Sequence, residues 1–264
     1  MTPLSQLFEK TRAENRAALI GYLPAGFPSR QGCIDAVMAM IEGGVDAIEI
    51  GFPYSDPVMD GPIIQAAADA SLSQGTGARD VFATLEAVAQ TGTPAVVMTY
   101  WNPIERYGVE NFAQSIAQAG GSGVITPDLT IEEAPAWRSA VLQEGINSIF
   151  VVAPSTKDDR LEKVTAECSG FIYAASLMGV TGTRTSVSSS AKDLVSRIRR
   201  VSDTPVAVGL GVSTPEQAHE VAQYADGVIV GSAFIRLLQE SNSRDEGMSR
   251  VRDLAASLAK GVRR

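Results

Sequence analysis

The chain has 264 residues, 45% of them hydrophobic and 20% charged, with a formal net charge of -8. Such a composition supplies a large core and excludes a disordered chain, and the acidic balance excludes a nucleic-acid surface, which needs clustered Lys and Arg against phosphates. The two cysteines, Cys33 and Cys168, form no disulfide framework and fit a reducing cytoplasm, while a single histidine, His219 in a polar helical stretch, leaves no His/Cys metal site and no Ser-His-Asp triad.

In chain order, residues 1–12 carry mixed charges without an apolar run, so no signal peptide is expected, and a helix is predicted over 4–11. No later stretch approaches the ~20 apolar residues of a membrane span. Apolar, β-branched runs predict a first strand at 18–23 and a second at 47–51. Two helical stretches follow, at 63–71 and 79–89. Six further strands are predicted at 95–100, 123–126, 148–153, 171–176, 206–209 and 228–231. Gly43-Gly44, Gly120-Gly121 and Gly145 sit where helices should stop, and Ser213-Thr214-Pro215-Glu216 reads as a capping box. Strand runs without alternation indicate burial on both faces, as in an all-parallel sheet. Eight strand-helix units predict a (β/α)8 TIM barrel, a single domain over 1–264, with an extra N-terminal helix on the barrel floor and additional helices. A doubly wound sheet lacks support, since no Gly-x-Gly-x-x-Gly follows the first strand.

The chemistry-bearing stretch is Ile48-Glu49-Ile50-Gly51-Phe52-Pro53-Tyr54-Ser55-Asp56-Pro57-Val58-Met59-Asp60-Gly61-Pro62. An ionised group buried without a partner costs several kcal/mol or shifts its pKa. Glu49 lies inside an apolar strand, and no predicted strand holds an Arg or Lys to pair with it. Asp60, on the following loop, can converge with it on one substrate and share its proton transfers. The competing role for Asp60 is a helix cap before Gly61-Pro62. Glycines end strands 7 and 8, in Gly209-Leu210-Gly211-Val212-Ser213 and Gly231-Ser232-Ala233-Phe234, and Gly179-Val180-Thr181-Gly182-Thr183-Arg184 follows strand 6. Glycine lets the backbone approach an anion, and free N–H groups with a helix dipole attract it, so an acidic protein can hold a phosphate there without a Lys cluster.

Those residues closely resemble the tryptophan synthase alpha subunit family over nearly the whole chain. The resemblance rests on Glu49 to Pro57 with Asp60-Gly61-Pro62, on Tyr100-Trp101-Asn102-Pro103-Ile104, and on Gly179-Val180-Thr181-Gly182. It implies a lyase that splits indole-3-glycerol phosphate into indole and glyceraldehyde 3-phosphate by a retro-aldol reaction. By the same resemblance Glu49 is the general acid and base, and Asp60 hydrogen-bonds the indole N–H and stays ionised. Tyr22, Ile64, Met98, Ile125 and Leu210 would line the indole pocket, Tyr100 and Tyr173 would face the substrate, Thr181 would orient Asp60, and Gly182, Gly211, Gly231 and Ser232 would hold the phosphate. The family implies no cofactor in this chain, pyridoxal phosphate in a partner beta subunit, and an alpha2-beta2 assembly that passes indole through a tunnel. Large groups on the barrel-top loops, among them Phe52, Tyr54, Tyr100 and Trp101, suit such an interface. Three places depart from the family pattern, at Pro24-Ala25-Gly26-Phe27-Pro28, at Thr130 and at Leu177-Met178, and none removes a proposed catalytic group. A solitary indole-releasing lyase and a substrate-binding module that activates another subunit are the alternatives, whereas a sugar-phosphate isomerase lacks its usual Lys or His base.

Overall fold

A computed structural model describes residues 2–175, 184–209 and 211–264, with 184–188 described by backbone alone. Among the described residues are eight strands: β1 (Ala18–Pro24), β2 (Ala47–Gly51), β3 (Ala95–Met98), β4 (Gly123–Thr126), β5 (Asn147–Val152), β6 (Ile172–Ala175), β7 (Val206–Gly209) and β8 (Gly227–Val230). Each pairs in parallel with its sequence neighbours, and β8 returns to β1 to close a barrel. The helices before and between them are α1 (Pro3–Ala13), α2 (Arg30–Glu42), α3 (Pro62–Ser73), α4 (Ala78–Ala89), α5 (Trp101–Tyr107), α6 (Val109–Gln118), α7 (Pro135–Gln143), α8 (Asp158–Glu167), α9 (Arg184–Ile198) and α10 (Pro215–Ala222). After β8 come α11 (Ser232–Glu240) and α12 (Arg244–Gly261). The expected TIM barrel with extra helices is the fold observed. No helix among the described residues is long and apolar enough to cross a membrane.

The strand residues divide by the two-residue period of a pleated chain. Ile48 and Ile50 of β2, like Leu19 and Leu23 of β1, join the core between sheet and helices. Ala47, Ala18, Ile20, Val96, Ile149 and Ala207 join a second cluster inside the barrel. The N-terminal helix plugs that interior from below: Leu4, Leu7 and Phe8 of α1 belong to the same cluster, with the Phe8 ring 5.8 Å from Phe171. Glu49, one pleat period above Ala47, is thereby directed inward near the top.

The floor is also stapled by acids that precede strands. Asp46 takes both Arg16 Nη1 and Nη2, at 2.6 and 2.8 Å, and accepts the Leu19 N–H of β1 at 2.9 Å. Asp226, before β8, repeats the device on β7, accepting the Val206 N–H at 2.9 Å and Arg199 at 3.0 Å.

Element boundaries differ from the sequence reading where a strand end turns into a helix start. The third strand ends at Met98, because Tyr100 caps α5, and the eighth ends at Val230, because Gly231 caps α11. The predicted capping box is a single cap: Thr214 accepts the Gln217 N–H at 3.3 Å, while Ser213 bonds the Gln217 side chain. Gly44, not Gly43, takes the left-handed turn after α2, with φ 101°.

Replacing Asp46 by Ala strips the Arg16 guanidinium, only 10% exposed, of its two-pronged partner, leaving the more exposed Glu14 on Nε alone, and leaves the Leu19 N–H without its acceptor. Asp46→Ala is expected to lower the unfolding free energy by about 3 kcal/mol in urea titrations followed by circular dichroism, and a loss under about 1 kcal/mol would remove the staple from the account of stability.

Candidate active site

The inward, top-layer residues of the strands surround a cavity of about 370 Å³. Tyr22, Glu49, Met98, Tyr173, Gly209 and Ile229 contribute from six strands, Asp60 and Ile64 cover one side, and Gly211, Gly231 and Ser232 line the end at β7 and β8. This is the C-terminal mouth of the barrel, where such folds place their chemistry.

Glu49 sits between Tyr22 of β1 and Val96 of β3 in the ladder, so its backbone is held on both sides. Its side chain is 2% exposed, and Oε2 has no hydrogen-bond partner. Among the described residues no Lys or Arg lines the cavity. Burial therefore pushes the Glu49 carboxyl up to about 8, with the nearby Asp60 charge adding to the effect. At neutral pH it holds a proton, which is the state a general acid needs.

Asp60 precedes α3, but the cap of that helix is Gly61 and no side chain caps it. The Asp60 carboxylate is thus not occupied in capping, although its carbonyl accepts from Gln65 at 2.8 Å. Burial raises its pKa, and the Tyr100 hydroxyl, which hydrogen-bonds it, works in the opposite direction. The two carboxyls are shifted to different degrees by different surroundings, the condition for dividing acid-base and electrostatic roles.

Two more phenols face these acids. Burial raises Tyr22 and Tyr173 well above the ordinary phenol range, and the carboxylates of Glu49 and Asp60 push further the same way, so both remain neutral hydroxyls. Tyr22 lies against the backbone of β2, where a Cβ at Gly51 would run into its hydroxyl and ring. At the far end, α11 begins at Gly231 with no side-chain cap among the described residues, so its first-turn N–H groups lie at the cavity end as free donors of the kind that hold an anion.

The structure brings together Tyr22, Glu49, Asp60, Ile64, Tyr173, Gly211, Gly231 and Ser232 around one space. Tyr100 stands behind Asp60 and is not part of the wall. Ile125 does not reach the cavity; it is fully buried in the barrel-interior cluster, paired in register with Met98. Thr181, Gly182 and Leu210, together with 177–178, lie outside the described residues. Met59, Ile63, Ala175 and Ile229 line the cavity without having been singled out from the sequence. Ala175 was findable from the two-residue period after Tyr173, while small or aliphatic residues otherwise carry no local signal of site membership. Among the described residues no group of His, Cys, Asp and Glu is arranged to hold a metal.

A model of the tryptophan synthase alpha chain family matches residues 8–263. The tryptophan synthase alpha chain of Streptomyces avermitilis is 55% identical over 261 residues, covering 98% of this chain and 94% of that protein. That of Acidothermus cellulolyticus is 54% identical over 264 residues, covering 100% and 98%. Among solved structures, the aminoacrylate-bound form of tryptophan synthase from Mycobacterium tuberculosis superposes with a TM-score of 0.91 at 48% identity over the whole of both chains. Tryptophan synthase subunit alpha from Legionella pneumophila gives 0.90 at 30% identity, covering 99% of this chain and 98% of that one.

The raised Glu49 pKa has a cost that can be measured. Between pH about 4.5, where an unfolded Glu releases its proton, and about 8, the folded chain keeps a proton that the unfolded chain has lost. Stability therefore falls as pH rises through that window. Glu49→Gln removes the ionisation, and its unfolding free energy relative to the parent should grow by roughly 2–4 kcal/mol between pH 5 and pH 8. An advantage independent of pH, in denaturant titrations at both values, would contradict the buried neutral carboxyl.

Proposed function

The chain belongs to the tryptophan synthase alpha chain family, and we propose that its barrel-top cavity carries out the family reaction through Glu49 and Asp60. That reaction, a step of tryptophan biosynthesis, cleaves indole-3-glycerol phosphate to indole and glyceraldehyde 3-phosphate. The observation that carries the assignment of residues is the Glu49 carboxyl, buried in the middle of β2 with no counter-cation among the described residues of the cavity and close to Asp60.

The substrate's indole would lie among Tyr22, Ile64 and Met98, with its phosphate at Gly211, Gly231 and Ser232. Protonated Glu49 gives its proton to the indole carbon bearing the glycerol chain, which makes that carbon tetrahedral and places positive charge on the ring nitrogen. Asp60, ionised, accepts a hydrogen bond from the ring N–H and stabilises that charge. The hydroxyl on the adjacent side-chain carbon then loses its proton to the Glu49 carboxylate. Its oxygen lone pair forms the aldehyde carbonyl as the carbon–carbon bond breaks, and the bonding electrons restore the aromatic ring. Glu49 ends protonated, as it began, so no external acid or base is consumed.

The chain needs no cofactor of its own, and pyridoxal phosphate belongs to the beta subunit with which it forms the alpha2-beta2 assembly. We place the docking face for that subunit on the loop of residues 52–60 and the start of α5. Val58 there is 73% exposed, an apolar group that a partner would cover. Two unpaired cysteines, Cys33 and Cys168, support a cytoplasmic setting.

Glu49→Gln is expected to lower single-turnover cleavage by about 10²- to 10⁴-fold, and Asp60→Asn by about 10²-fold, with substrate affinity little changed; indole release by rapid quench reads both. Parent-like turnover in Glu49→Gln would exclude it as the acid-base group.

The kcat/KM profile against pH should be bell-shaped. Its upper limb should fall near pH 8, where Glu49 loses its proton. Its lower limb should lie above the pH of an ordinary aspartate, as Asp60 gains one, and should disappear in Asp60→Asn.

A further inference from the structure

The loop that carries Asp60 is held by three residues of another segment, Met98, Tyr100 and Asn102. Its first residue, Phe52, donates its N–H to the Met98 carbonyl at 2.8 Å. Tyr54 accepts from the Asn102 amide at 3.0 Å, and its ring lies 5.2 Å from that of Tyr100. The Met59 N–H, next to the reactive carboxylate, donates to the Tyr100 hydroxyl at 3.2 Å, and the same hydroxyl hydrogen-bonds Asp60 itself. Tyr100 and Asn102 therefore set the loop, and Trp101 is the residue between them.

Trp101 is fixed from outside the cavity. Its backbone N–H donates to both oxygens of Asp128, at 2.9 and 3.1 Å. One step earlier, the Thr99 N–H donates to the Ile125 carbonyl at 3.0 Å, the last rung between these two segments. Beyond that rung, among the described residues, the Asp128 carboxylate is what hydrogen-bonds the β4 segment to the Trp101 backbone at the start of α5. Asp128 is exposed and does not line the cavity. We propose that Asp128 is a positioning residue for the lyase reaction: by fixing the backbone at Trp101 it sets Tyr100 and Asn102, which hold the loop bearing Asp60. This rests on the role given to Asp60 above.

The route from Asp128 to the reacting centre is one of geometry, which separates it from a charge effect. Asp60 is faced by Glu49 from β2, by Tyr22 from β1, by Tyr173 from β6 and by Tyr100 from the start of α5. Of these, only the Tyr100 hydrogen bond lowers its pKa. Loosening Tyr100 should move the lower limb of the pH profile upward, whereas deleting a negative charge at position 128 with no movement should shift it downward.

The test measures indole-3-glycerol phosphate cleavage by the complex with the beta subunit, at saturating substrate and saturating beta subunit. Asp128→Ala should lower kcat about tenfold, the scale of one charge-assisted hydrogen bond lost from the transition state. Asp128→Asn, whose amide oxygen can still accept the Trp101 N–H, should stay within about twofold of the parent. In a Tyr100→Phe background Asp128→Ala should cost less than about twofold more, since the two changes break one chain of contacts. The lower pH limb should rise in Asp128→Ala and in Tyr100→Phe alike. Glu132→Gln, which removes the Arg160 ion pair of the same segment, should keep the parent kcat. Asp128→Ser, expected to match Ala, serves if the Ala variant does not fold. Parent-like kcat in Asp128→Ala, additive losses with Tyr100→Phe, a downward limb, or an equal loss in Glu132→Gln would each overturn the inference. A parent complex that failed to cleave the substrate would instead overturn the function it rests on.

Discussion

The site depends on one unfavourable burial. A carboxyl group is held in the top layer of a closed parallel barrel, with hydrogen-bonded neighbours on both sides of its strand and no cation among the described residues of the cavity wall. It cannot leave without breaking the barrel, and it cannot ionise cheaply where it is. Proton retention at neutral pH follows from the fold itself. The surroundings then divide the work: neutral phenols line the space without neutralising either acid, and Asp60, on a loop closer to solvent, is less strongly shifted.

Much of this was legible in the sequence because it follows from local patterns. An acid in the middle of Ala47-Ile48-Glu49-Ile50-Gly51, in a chain whose strands hold no base, has few uses other than chemistry. The barrel was legible in the spacing of apolar runs, and the floor position of the first helix follows from Leu4, Leu7 and Phe8 on one face. What escaped were features decided between segments. Tyr100 reads as the end of a strand but leaves the ladder to start a helix, so its hydroxyl serves Asp60 from behind. Ile125 faces inward like the residues of the wall, yet it is covered by the interior cluster. The capping alternative for Asp60 depended on whether the helix began at Asp60 or Gly61, a difference of one residue that composition does not resolve.

The acidic character of the chain and its affinity for an anionic substrate are compatible because charge and anion binding use different groups. At the β7 and β8 end of the cavity the available donors are backbone N–H groups beside small residues, Gly211, Gly231 and Ser232. Such donors carry no net charge to attract other polyanions, and they stay fixed in direction as the substrate reacts. A lysine in the same cavity would have favoured the ionised form of Glu49 and drawn its pKa back down.

The two tryptophans of the chain stand edge to face 6.4 Å apart, Trp137 fully buried and Trp101 partly exposed, at the very junction that positions Tyr100 and Asn102. Indoles this close exchange excitation energy, so the pair acts as one native chromophore whose partly exposed member senses the polarity around the loops over the barrel mouth. Arrival of a partner or movement of those loops is written into the protein's intrinsic fluorescence, with no extrinsic dye and no engineered label.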